Sequence, residues 1–195
     1  MEISYRDLMT VFHGMGFGAL FLLAFAGAVA ELYHLSAPNA VTLPSHREQV
    51  LLKWYLIAMV VLAWGAVISG TYLVYPWYRA VPPTGTTPAD LVNYPKFLLT
   101  ASPNTSKWHT LGMEWKEHVA WLAPIAITMV AYVTNKYAMT IARPRNLRTS
   151  VLIFALVAFA ATGVAGGFGA MLNKYAPVRG GPAIQILGPA VERAD

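Results

Sequence analysis

The stretch from Trp108 to Trp121 gathers His109, Glu114, Lys116, Glu117 and His118 at the point where a polar, proline-rich segment turns into an apolar run. A second intramembrane histidine, His13, stands near the start of the first apolar run. Neutral imidazole is a strong metal ligand. His13 lies 18 residues before Glu31, and His118 lies 18 residues before Lys136. At 1.5 Å per residue both are about 27 Å from the charge that closes their own helix, so they share one depth. Two imidazoles at one depth suit the two axial positions of a haem iron. Gly14, Gly16, Gly18 and Gly70 are small enough to let a flat macrocycle come close, although plain helix packing uses glycines in the same way.

The same region supports a different metal site. Glu114 and His118 are four residues apart and share a helical face. With Glu117, His109 and His13 they could hold a non-haem ion, because imidazole with carboxylate suits iron, zinc or copper. The simpler reading of Glu114, Lys116 and Glu117 is a solvated helix start, where the dipole favours acids. His34 and His46, at the opposite ends of their spans, form a looser second pair. The chain has no cysteine. That removes disulfides, covalent haem attachment and cysteine-held iron–sulfur clusters.

The elements that must position these residues are membrane helices. Of the 195 residues, 56% are hydrophobic and 12% charged, about half the charge of a soluble domain. Leu8 to Ala30, Trp54 to Tyr78, His118 to Asn135 and Thr149 to Asn173 hold no Asp, Glu, Lys or Arg. Each approaches or exceeds the roughly 20 apolar residues that a spanning helix needs. The expected architecture is one all-α integral membrane domain over residues 1–195. It has four transmembrane helices, at about 8–33, 53–78, 115–137 and 149–172, in an up-down-up-down bundle. The run from Leu8 reads as an uncleaved first helix. Tyr75, Trp77 and Tyr78 read as an aromatic belt at the membrane boundary. Pro124, inside the third helix, should kink it or free a carbonyl.

Prolines 82, 83, 88, 95 and 103 argue for an ordered outer loop over 79–114, with one short helical turn near Pro88 to Leu99. The tail from 173 to 195 carries an apolar patch, Ile184 to Leu187, and is too broken to span. Loops 1 and 3 carry Arg47, Lys53, Lys136, Arg143, Arg145 and Arg148. By the positive-inside rule they face the cytoplasm. Both termini, the long loop and the His13/His118 level then face the periplasmic side of an inner membrane.

In this pattern, four spans with His13 and His118 among glycines, the chain resembles small four-helix membrane cytochromes of the b type. The resemblance implies a haem b, electron transfer among quinones and other carriers, and membership of a respiratory-type complex. The expected partners are the lipid bilayer and other subunits on the outer face, with no nucleic acid. A quinone site is compatible with it, as is a non-catalytic anchor or assembly subunit. There is no nucleophile–base pair and no nucleotide motif, so a stand-alone enzyme is not expected.

Overall fold

The structure, a computed structural model, describes residues 3–36, 45–137 and 145–178. These residues are all-helical, with no strand among them. Four helices are long and apolar enough to cross a membrane: Tyr5–Tyr33, His46–Tyr78, Pro103–Tyr137 and Asn146–Tyr175. They make this a multi-pass membrane protein and are called the first to fourth spans below. Large apolar side chains stand exposed on each of them, among them Leu23, Val61, Ile125 and Ile153, as a surrounding of lipid tails allows.

The spans start earlier than the apolar runs because polar residues cap them. The Ser4 hydroxyl accepts from Asp7 N–H while the Asp7 carboxylate accepts from Ser4 N–H. Ser45 and Glu48 make the same reciprocal pair at the head of the second span. Each pair satisfies donors that a helix start leaves without partners.

The connection between the second and third spans is more helical than the prolines suggest. A 3-10 turn covers Pro88–Asn93, and short helices cover Pro95–Thr100 and Pro103–Lys107. Each opens on its proline, where the missing N–H would have had no partner anyway. The third span therefore begins at Pro103, twelve residues before the expected start at 115. At 35 residues it is about 50 Å long, well beyond the roughly 30 Å hydrocarbon layer.

Three spans are interrupted. Wide π-helical turns occupy Phe12–Ala19, Gly70–Val74 and Trp108–Met113. The third span also breaks over residues 119–121. Pro124 has no N–H for the Ala120 carbonyl, which instead accepts from Ala123 N–H at 3.1 Å. This is the freed carbonyl that a proline at this place entails. The fourth helix alone runs unbroken, from Arg145 to Tyr175.

The first span packs against the second and fourth, and so does the third. One core cluster joins Phe21, Phe25, Leu32, Leu56, Met59, Ile127 and Val130 with small residues such as Ala28, Ala63, Ala126, Ala155 and Ala158. The alanines let the helices approach closely. A second cluster, at the other end, joins Tyr78, Leu99, Met113, Leu172 and Ala176.

Candidate functional site

A cavity of about 680 Å³ lies where the two clusters meet, walled by Phe21 and Ala63 of the first and Met113 of the second. Its volume is in the range of small-molecule sites. All four spans contribute. The chemistry-bearing residues on its wall are His13 from the first span, Tyr75 from the second, and Lys116, Glu117 and His118 from the third. The fourth contributes Thr162, Ala165, Gly166 and Gly169.

His13 sits in the wide turn of the first span. Its Nδ1 lies 2.9 Å from the Ala66 carbonyl oxygen and 3.2 Å from Ser69 Oγ. Ser69 Oγ itself donates to the Gly65 carbonyl at 2.6 Å. A carbonyl only accepts, so Nδ1 must carry the proton and Nε2 must hold the lone pair. Gly70 makes this position possible: a Cβ there would come within 2.7 Å of His13 Cε1. The Ala66/Gly70 pair, which in sequence reads as helix packing, houses an imidazole.

His118 obeys the same rule. Its Nδ1 lies 3.0 Å from the Glu114 carbonyl oxygen, one turn back on its own helix. In the neutral ring that bond leaves Nε2 as the lone-pair nitrogen. The Glu114 carboxylate is 3.5 Å from the same Nδ1. The His118 side chain is 70% exposed, so it is held from one side only.

The glycines divide. Gly14 has nothing near the place its Cβ would occupy, and it lines the cavity with Gly18 and Gly70. Gly16 instead backs onto the Phe12 ring at 3.1 Å and lies off the cavity wall. Two glycines of the fourth span, Gly166 and Gly169, line the cavity as well.

The alternative metal ligands are not brought together. His109 Nδ1 bonds the Tyr78 hydroxyl at 2.8 Å, and a Glu117 carboxylate oxygen lies 4.0 Å from Arg79. Among the described residues no three His, Asp or Glu side chains converge on one point. Glu117 Oε1 is buried without a hydrogen-bond partner on the cavity wall.

The chain matches no protein-family model, no curated protein and no solved structure. What the site can do therefore rests on its own residues. Two imidazoles on the wall of one cavity, each with Nδ1 at a backbone carbonyl, are a donor set of the kind that could hold a metal macrocycle. Metal-bound histidines nearly always donate the other ring nitrogen to a carbonyl or carboxylate in this way.

Several parts of the site differ from the sequence reading. Tyr78 is 4% exposed and bonded to His109, so it belongs to the core and not to an aromatic belt. Trp77 turns to Tyr5 and the Arg6 guanidinium. The loop aromatics Tyr94, Phe97, Trp108 and Trp115 are each partly buried. Trp108 stacks on Tyr175 with ring centroids 6.0 Å apart, and Trp115 leans on Phe168. Ser69 as a partner of His13, and Lys116 as a cavity residue, had no signal in the sequence beyond their polarity. His46 is exposed at the head of the second span. The His34 side chain, residues 138–144 of the basic loop and the tail patch Ile184 to Leu187 lie outside the described residues.

Proposed function

We propose that the chain is a b-type cytochrome subunit of a membrane redox complex, holding one haem between the first and third spans with His13 and His118 as axial ligands. One observation carries this reading. Both imidazoles line one cavity, and both are fixed by Nδ1–H bonds to backbone carbonyls. The bound haem would supply a one-electron iron couple. The chain's own contribution is to orient two Nε2 lone pairs, to clear space with Gly14, Gly18 and Gly70, and to keep the site apolar through Phe21, Leu22 and Met113. An apolar shell with fixed ligand orientation is how a protein sets the properties of a metal centre.

The positional argument agrees. The first and third spans share neighbours in the second and fourth. An up-down-up-down bundle makes the first and third diagonal across the core, where bundles hold cofactors. In that topology the basic first and third loops face the cytoplasm. The termini, the connection over 79–102 and the haem then lie toward the periplasm, within reach of a partner subunit or a soluble carrier. A quinone could exchange electrons at the same face. The haem reading is favoured over a non-haem ion because His109 lies against Tyr78 and no three His, Asp or Glu side chains converge among the described residues, although Glu114 and His118 stay close.

The test is a pyridine haemochrome spectrum of the purified chain, followed by single substitutions. A low-spin haem b spectrum is expected, to be lost in His13→Ala and in His118→Ala and kept in His46→Ala. No haem in the wild-type preparation would leave the anchor or assembly role as the standing alternative. An unchanged spectrum in both cavity variants would remove this site.

A further inference from the structure

Lys116 is a cation drawn into the cavity wall, where it forms no ion pair among the described residues. Its Nζ donates to the Ala165 carbonyl at 3.3 Å, which is long for such a bond. It makes no salt bridge among the described residues. Gly169 is what admits it, because a Cβ at that position would stand 2.9 Å from Nζ. Lysines in membrane helices ordinarily extend toward the interface and keep the ammonium wet. This one reaches across to the fourth span instead. An ammonium has three N–H donors and no acceptor. One is used weakly, so two remain for whatever fills the cavity. The neighbouring Glu117 lines the same cavity but forms no ion pair with it. Successive residues point about 100° apart around a helix, and the Glu117 carboxylate lies toward Arg79.

We infer that Lys116 anchors a carboxylate of the cavity's occupant, and that this carboxylate is a haem propionate. The second half rests on the haem reading above. The chemistry is complementary: a haem b bears two propionates on one edge, and Lys116 is the cation on the wall that also carries both imidazoles. It also meets a geometric need. Two axial ligands fix the iron but leave the macrocycle free to turn about the line joining them. One ionic hydrogen bond at the rim removes that freedom. Charge-assisted bonds of this kind are about twice as strong as neutral ones. Lys116 is thus a positioning residue and does not touch the iron.

The experiment compares haem b with its dimethyl ester, in which both propionates are neutral. The full chain, stripped of haem in detergent, is titrated with each. The wild type should bind the free acid about tenfold or more tightly than the ester. Lys116→Met should abolish that preference while keeping the low-spin spectrum. Gly169→Ala, which moves the ammonium without touching either histidine, should reduce it. A Lys116→Met protein that still prefers the free acid as strongly as wild type overturns the proposal and leaves the haem site standing. So does an equal loss of affinity for acid and ester, which would mark Lys116 as a structural residue. A wild type giving no low-spin spectrum with either compound refutes the haem reading, and this inference with it.

Discussion

At the residue scale the site depends on what is missing beside the His13 ring. His13 is tied by two hydrogen bonds and cannot swing away from a new methyl group at Gly70, which would stand 2.7 Å from its Cε1. Gly70→Ala should therefore destabilise the haem-free fold by about 1–3 kcal/mol, as overpacking does, and displace the imidazole. Gly14→Ala meets open space and should stay within about 0.5 kcal/mol of wild type. Thermal unfolding of both in one detergent decides this, and equal losses would mean that the ring is not held where the bonds place it. The Tyr78 hydroxyl offers a second check. It is buried and bonded to His109 Nδ1, so Tyr78→Phe should cost about 1–2 kcal/mol. In a double-mutant cycle with His109→Ala that loss should largely vanish; full additivity would refute the bond. The two histidines were legible in the sequence because a titratable group inside an apolar run stands out. Ser69 and Gly169 were not, because their roles come from another helix meeting them.

At the element scale, the four spans were readable from their uncharged runs, and their ends were not. Apolar periodicity marks the hydrocarbon-facing part of a helix. Ser4 and Ser45 extend two spans into polar sequence, and only a check for Ser-x-x-Asp/Glu would have found them. Losing the Ser45 cap in Ser45→Ala should cost about 0.5–2 kcal/mol locally. Amide exchange should quicken at residues 46–49 and remain unchanged in the middle of that span; protection equal to wild type throughout would show that lipid, and not the cap, holds this end. Prolines misled for a related reason. Composition counts them as breakers, but Pro88, Pro95 and Pro103 each occupy the opening position of a short helix. The wide turns at His13, Gly70 and His109 had no local signature at all, since a π-helical turn is stabilised by what packs into it.

At the scale of the whole molecule, the unequal distribution of basic residues predicts how the chain lies in its membrane. Cysteine labels placed at residue 145 and residue 90 of this cysteine-free chain should react from the cytoplasmic and the outer side respectively. The reverse result would put the histidine level at the cytoplasmic face and redirect the search for a partner. The reading as a subunit predicts that material purified in mild detergent carries other chains. Deletion of residues 177–195 should release them while the haem spectrum persists. A stable, monodisperse particle of this chain alone in native mass measurement would count against a complex. The burial of Trp108 and Trp115 against the fourth span narrows where such a partner can sit, because those rings are already occupied within the chain.

The unbroken fourth helix has a consequence for biogenesis. Ribosomes deliver a chain from its first residue to its last, so both histidines reach the membrane before the helix from Arg145 to Tyr175 exists. Until then the cavity is a trough, open along the side that Thr162, Ala165, Gly166 and Gly169 will close. A flat prosthetic group would slip in sideways through that gap far more easily than through the finished wall. Arrival of the last helix would then act as a latch, bringing Ala165 and Gly169 up to Lys116. If the cavity holds haem as proposed, loading during synthesis and loading afterwards should differ in rate, with uptake by the completed, empty protein the slower of the two.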